Sequence, residues 1–491
     1  MGRVLTNNTT LQVATESSLG VQPTSGWKTI EPTTIGKFGP TLTKLTREPI
    51  SKNRQRRKGA LTDLDSSVEF EADVTYDHMK MFLEGLLFSS FKGGTVFSPT
   101  AVTATGYTVA SGGALAAGTL IYARGFANPA NNGLKVVGSS STSIEIKTSG
   151  LVAEATAPTG ATVEIAGVQG ATSDFTIVSG NLVSTAFDWT TAVGALVQVG
   201  QFIWIGDTSG GTHSFANTSD RGFARVMAKS ATTLTLDKKS TVFVDDPGTG
   251  KDIYVLFGQF VRNVAVDHAD YLERTYHFEL AYENLGDTPG VDKYEYAKGN
   301  FCNEITYDFQ TANKATMRCN FVGTDCDAPT LTRATGASTA IPPIATGMYN
   351  TSVDFLRLRV TGADETGLTT DIKQMSVTVK NNVTAEKVLA TLGGKYMNAG
   401  LFDVEVDASV LFTSSGVIDA MRANSTVTME AAIRNDDGGF LLDIPAMTVE
   451  GGDKEFPVNQ TVTISMKSMA FQHATLGTSL SVSCFPYLPS A

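Results

Sequence analysis

Within one stretch, Val68–Phe88, the hydrophobic pattern changes period, and the chain must fold around that change. Val68, Phe70, Ala72, Val74 and Tyr76 alternate with Glu69, Glu71, Asp73 and Thr75, so the stretch opens as a half-buried strand with an acidic wet face. Met79, Phe82, Leu83, Leu86 and Leu87 then share one face of a short helix, with Asp77 expected as its N-cap. A carboxylate-faced strand followed by a packed helix is a wall, not a catalytic arrangement.

The same pattern returns 336 residues later. In 404–412 Val404, Val406, Ala408 and Val410 point inward and Glu405, Asp407 and Ser409 outward. A helix from Ser415 to Ala423 follows, with Val417, Ile418 and Met421 as its apolar stripe. The strands that come next, 275–284 and 426–435, also match. This predicts a duplicated fold; chance recurrence of strand–helix–strand runs in a β-protein is the competing explanation.

A chain of 491 residues rich in Gly, Thr, Ser and Val, with 18% charged residues, reads as a mainly β protein of two to four domains. Its net charge of −11 is unevenly spread: residues 1–60 hold ten Lys/Arg against three Asp/Glu. A basic arm on an acidic body suggests self-association more than nucleic-acid binding. Arg54, Arg56, Arg57 and Lys58 lie in an expected loop without interleaved aromatics, which argues against base stacking and for ion pairs to a neighbouring subunit. No apolar leader region or membrane-length apolar run is evident, so neither signal-directed secretion nor a spanning helix is expected. Cys302, Cys319, Cys326 and Cys484 form no CxxC pair and are expected as reduced thiols.

Residues 1–40 lack sustained periodicity and are expected to be an arm ordered by packing on a neighbour. Residues 41–91 and 260–330 make the first discontinuous domain, 331–349 a linker, and 350–491 the second domain. Between the halves of the first lies an insert, 92–259, with an internal repeat: FANPANNGLKVV at 126–137 and FANTSDRGFARV at 215–226 share Phe126/Phe215, Asn128/Asn217 and Gly133/Gly222. Two small β-modules, each a barrel or sandwich, are expected there. Such an insertion is tolerated when its ends meet at the surface.

Candidate chemistry is sparse. PGTGK (247–251) resembles a phosphate loop, but Asp245 holds the place of the leading Gly, and Asp252 stands where Ser or Thr would bind magnesium. Asp267, His268 and Asp270 lack further ligands at metal spacing, and Asp436 and Asp437 precede two glycines in a hairpin turn. No catalytic residue, metal or cofactor is expected.

The run EPISKNRQRRKG, then VEFEADVTYDHMKMFLEGLLF, resembles the siphophage tail tube (major tail) protein family, and so do RTYHFELAYENLGD, FCNEITYDFQTANKATMRCNFVGTD, QMSVTVKNNV and FLLDIPAMTVEGG. The resemblance covers about 41–91 and 260–491, in order. It implies a tube β-barrel or sandwich that assembles into stacked rings, a virion tail made in the host cytoplasm, and partners such as tape measure and tail terminator or tip proteins. DNA would pass through without specific binding, and no membrane is involved. Glu69, Glu71, Asp73, Glu279, Glu405 and Asp407 would then line the lumen and repel phosphates, while Arg54, Arg56, Arg57 and Lys58 would make subunit and ring contacts. Two copies per chain favour a trimeric ring with pseudo-sixfold symmetry, with a hexamer as the alternative. A capsid-decorating or adhesin-type β-protein of a virion is the competing function. A glycan-active enzyme would need carboxylates facing each other across a groove, whereas these alternate along single strands.

Overall fold

A computed structural model describes residues 4–489 except 49, 51, 53, 139, 141, 149, 208–210, 238–241, 286–289, 363–366, 370 and 414. Gly286 and Gly290 predict a loop after the strand at 275–284, and this loop lies almost wholly outside the described residues. The first copy of the fold consists of β1 (Thr9–Thr15), β2 (Pro32–Arg47), β3 (Arg57–Asp73), α1 (Tyr76–Leu87), β4 (Tyr276–Tyr282), β5 (Lys293–Gln310) and β6 (Thr316–Gly323). The second repeats that order with β7 (Phe355–Thr361), β8 (Ile372–Lys380), β9 (Asp403–Leu411), α2 (Gly416–Arg422), β10 (Val427–Asn435), β11 (Gly438–Glu455) and β12 (Thr463–Ala470). A last strand, β13 (Ser481–Phe485), pairs with β11.

The pairings repeat with the elements, and all are antiparallel. β1 pairs β4 as β7 pairs β10; β2 pairs β3 as β8 pairs β9; β3 pairs β6 as β9 pairs β12. In each copy one long strand serves two sheets. Residues 293–300 of β5 pair with β4, whereas 301–308 pair with β6. β11 does the same between β10 and β12. Each bend has a local cause. Gly299 sits at φ +62° against the Thr324 side chain, where no Cβ fits, and Pro445 lies where the β10–β11 register shifts.

β5 also pairs with β8, Glu304 to Gln310 against Lys380 to Gln374, which fuses the two copies. The result is a long antiparallel sheet in the order β2-β3-β6-β5-β8-β9-β12-β11. Behind it stand two short sheets, β1-β4-β5 and β7-β10-β11-β13. Between the layers of the first copy Phe82 of α1 meets Phe70, Phe278 and Phe321, with ring centroids 5.9, 6.4 and 5.1 Å away. The second copy fills the same space with Val406, Val417, Met429 and Ile464. α1 is capped by Thr75, whose hydroxyl accepts from His78 N at 3.2 Å, and not by Asp77. The Asp77 carboxylate instead accepts from the Ile344 and Ala345 amides at 2.7 and 3.0 Å.

The N-terminal segment also departs from expectation. It folds onto its own chain: β1 pairs with β4 throughout, Leu11, Val13 and Trp27 are buried, and Glu16 accepts from Gly299 N and contacts His277 Nδ1. Enough apolar residues are spread through 11–30 to bury without any helical or strand periodicity. Residues 333–340 lie over the same short sheet, where Ala334 and Ala337 cluster with Trp27 and Tyr296.

The ends of the insert run side by side, with Lys92 opposite Phe260. Its two repeats are hairpins, 119–124 with 133–136 and 202–205 with 222–229, and the FAN motifs lie in their turns. Strands 162–169 and 254–256 pair and join both halves into one ten-stranded sheet over a shared core. One face of this sheet packs on the second short sheet: Phe202 and Phe223 meet Ala432, Leu441 and Phe485. Along β11, Phe440 and Leu442 face the long sheet while Leu441 faces the insert, so this short sheet is buried on both sides. The layers run long sheet, short sheet, insert.

Candidate functional site: a polar sheet face and two free edges

The long sheet buries one face and leaves the other open, and the strand registers show which side chains share the open face. Glu69 lies across from Asn320, Asn320 from Glu304, Glu304 from Lys380 and Lys380 from Asp403. The next row carries Glu71, Arg318, Thr306, Thr378 and Glu405; the one after it Asp73, Thr316, Asp308, Ser376, Asp407, Lys467 and Glu450. The face thus brings together Glu69, Glu71, Asp73, Glu405 and Asp407 and adds four carboxylates absent from the sequence-based set: Glu304, Asp308, Asp403 and Glu450. Their signal was available, since each alternates with an apolar residue, but nothing in the sequence showed that β5 and β8 pair.

Cations are interleaved with these acids. Arg318 Nε donates to Glu71 at 2.9 Å, Lys380 Nζ to Glu405 at 2.7 Å, and Lys314 lies 2.6 Å from Asp73. Asn320 Nδ2 donates to Glu69 at 3.1 Å. Burial pushes the Asp308 carboxyl above its ordinary value; Arg318 opposes that and Glu71 reinforces it. The Glu405 hydrogen bond raises the Lys380 ammonium. Such exposed pairs fix side-chain positions more than they add stability.

Glu279 does not belong to this face. It lies on β4 in a short sheet, 0% exposed, held by Arg333 at 2.7 Å and by the Tyr296 hydroxyl at 2.7 Å. The N-terminal segment and residues 333–340 cover the side of β4 that alternation marks as wet.

The sheet has two edges, β2 and the second half of β11, to which no other strand of the chain pairs among the described residues. Beyond Pro40, β2 and β3 continue as a two-stranded ribbon with no third strand beside it among the described residues, and Leu42, Leu45 and Leu61 are exposed there. Arg54, Arg56, Arg57 and Lys58 sit at or next to its tip and are exposed. Arg57 lies directly across from Arg47, and Arg56 pairs with Glu48 at 3.0 Å. Like charges facing each other on an isolated ribbon are unfavourable.

Elsewhere the chemistry is structural. PGTGK forms a turn in which Lys251 Nζ donates to the Gly211 carbonyl at 3.3 Å. Asp270 of the 267–270 cluster pairs with Lys92 at 2.6 Å. All four cysteines are free and buried, and burial pushes the Cys484 thiol up to about 12. Among the described residues no group of three metal-ligating side chains occurs, and no helix is long and apolar enough to cross a membrane. A buried ion network that the sequence did not reveal joins the insert to β10 and β11: Arg225 contacts Asp443 at 2.5 Å and Asp237 at 2.9 Å.

A family model described as phage tail tube protein matches residues 6–467. No curated protein matches the chain.

Proposed function

The chain belongs to the phage tail tube protein family, a structural component of the virion tail, and from that premise we propose that it forms the tube of a long non-contractile tail. Copies close into rings, rings stack, and the open face of the long sheet lines the lumen through which DNA passes. The supporting observation is the sheet itself: a continuous run of strands with one polar, acid-rich face and both edges open. The short sheets and the insert lie on the far side, which supports a tube with the insert on its outside. Glu69, Glu71, Asp73, Glu405 and Asp407 then face the phosphates, and repulsion replaces the counterion-release adhesion of DNA-binding proteins. Tape measure and terminator or tip proteins are the other partners, met during assembly in the host cytoplasm.

Dimensions favour three chains per ring. With strands about 4.8 Å apart and tilted about 40°, the eight strands of one chain span about 50 Å of circumference. Two chains close at about 32 Å between backbones and three at about 48 Å, and inward side chains of about 5 Å on each wall leave only the larger ring ample room for a duplex. Six chains would enclose about 95 Å, far more than DNA requires. Because each chain carries two copies, the trimer is pseudo-sixfold.

Averaged electron images of purified tubes are expected to show three subunits per ring with alternating densities; sixfold-identical density rejects the trimer. Tubes carrying Glu69→Lys with Asp407→Lys are expected to retain added duplex DNA at low salt and release it at high salt, while wild-type tubes retain none. Equal retention by both removes the lumen assignment. Reversing Arg54, Arg56, Arg57 and Lys58 to glutamate is expected to give rings that no longer stack, because the ribbon tips lose their acidic counter-surface; normal tubes from that variant reject the stacking role.

A further inference from the structure

The internal repeat contains its own model of the contact between chains. Within one chain the two copies are joined by β5 against β8, and the two strands that keep one edge unpaired among the described residues, β11 and β2, are their counterparts in the opposite copies. An unpaired edge tends to recruit another strand. The registers specify how it is paired here.

Glu69 and Glu405 occupy equivalent positions in the repeat. Lys37 lies across from Glu69 and Thr378 across from Glu405, so Lys37 and Thr378 are equivalent. Arg318 faces Glu71 and Lys467 faces Asp407, which makes Arg318 and Lys467 equivalent, and with them their next neighbours Thr306 and Glu450. Inside the chain Thr306 lies directly opposite Thr378. From this we infer that chains join head to tail with Glu450 of one chain directly opposite Lys37 of the next, in antiparallel register. The inference rests on the ring assembly proposed above and supplies the seam.

Three independent features agree with that register. The facing residues carry opposite charges, and both are exposed in the single chain. The adjacent pair, Val449 and Phe38, is apolar and lies on the core side, as Ile305 opposite Val379 does within the chain. The segment of β2 that the seam uses, 33–39, lies between Pro32 and Pro40, the two positions of that strand that cannot donate a ladder hydrogen bond. A slip of one residue would put Phe38 in the lumen and Lys37 in the core.

The first test is a charge swap in the full chain. Lys37→Glu and Glu450→Lys are each expected to raise the protein concentration needed for ring formation about tenfold, as attraction at each seam becomes repulsion. The double variant is expected to restore wild-type assembly. The second test is Lys37→Cys with Glu450→Cys. Facing residues lie about 4.5–5.5 Å apart between Cα atoms, within disulfide reach, and the native cysteines are buried. Mild oxidation is expected to give covalent oligomers that close at three chains, whereas Lys37→Cys with Thr448→Cys stays largely uncrosslinked. If tubes form but the shifted pair crosslinks instead, or the single reversals assemble like wild type, the register is wrong and the tube reading stands. If the wild-type chain forms no ring at any concentration, the tube reading itself fails and takes the seam with it.

Discussion

Arg225→Met is expected to lower the unfolding free energy by about 3–5 kcal/mol, the range for removing one partner of a buried ion pair. Arg225 is 2% exposed and reaches from the insert into the second short sheet. It donates to Asp443 at 2.5 Å, Asp237 at 2.9 Å and the Thr428 hydroxyl at 3.0 Å, and its guanidinium lies over the Phe202 ring. Glu430, fully buried, pairs with Arg357 at 2.7 Å and lies 3.7 Å from Arg225. Methionine fills the space but leaves buried carboxylates without their shared counter-charge. Arg225→Lys keeps the charge and loses the fork that reaches several partners at once, so an intermediate loss is expected. Denaturant unfolding followed by tryptophan fluorescence measures both, since Trp189 and Trp204 lie in the insert. A loss below about 1 kcal/mol for Arg225→Met would show that the network does not hold the insert in place.

The same cluster carries a pH dependence. Burial raises the Asp443 carboxyl from 3.8 to about 7, against the pull of Arg225 and with reinforcement from Glu430. Between those values the folded chain keeps a proton that the unfolded chain has released, so stability from this group falls as pH rises toward 7. Below the unfolded value both states are protonated and the slope vanishes. Asp443→Asn keeps a polar group of the same shape and is expected to flatten the melting temperature between pH 5 and 7.5.

Phe82→Ala is expected to cost about 3–5 kcal/mol, and to do so through the first copy of the fold. The ring is 1% exposed and touches aromatic residues from β3, β4 and β6, including Tyr276 at 5.5 Å. Tyr276 in turn packs so closely over α1 that Gly85 has no room for a Cβ, which would lie 2.5 Å from the ring. With backbone and aromatics this tightly placed, the site relaxes little and the cavity persists. In the second copy the helix has only seven residues and sends Val417 into the core. Val417→Ala removes two methyl groups and is expected to cost only about 2 kcal/mol. Parallel denaturation of the two variants checks the asymmetry; equal losses would mean that the helices contribute alike despite their different lengths and side chains.

Alternation identified β3 and β9, and the apolar spacing identified α1 and α2 close to their observed ends, because those patterns record which side chains share a face. They do not record what lies against that face. Glu279 shows the difference: it alternates as cleanly as Glu71, yet β4 is covered on both sides and the carboxylate is buried against Arg333. The helix α1 starts at Tyr76, so its cap is Thr75, and Asp77 accepts instead from the amides of residues 344 and 345, a contact that no local rule reaches across that distance in sequence. Residues 9–30 carry no sustained period, yet they fold because one edge of β4 accepts them.

By itself the sequence determined that two strand–helix units recur in one chain, that a separately patterned insert interrupts the first, and that the exposed sides of β3 and β9 are acidic. These follow from short-range periodicity, which survives in any chain able to bury one face. Only the tertiary structure decided that β5 and β8 fuse the copies, that Glu304, Asp308, Asp403 and Glu450 join the same face, and that β2 and β11 each keep one free edge among the described residues. Strand pairing couples residues far apart in the chain through backbone hydrogen bonds. Apart from proline, every residue offers the same backbone donor and acceptor, so side-chain pattern leaves the choice of partner strand open until the whole core is packed.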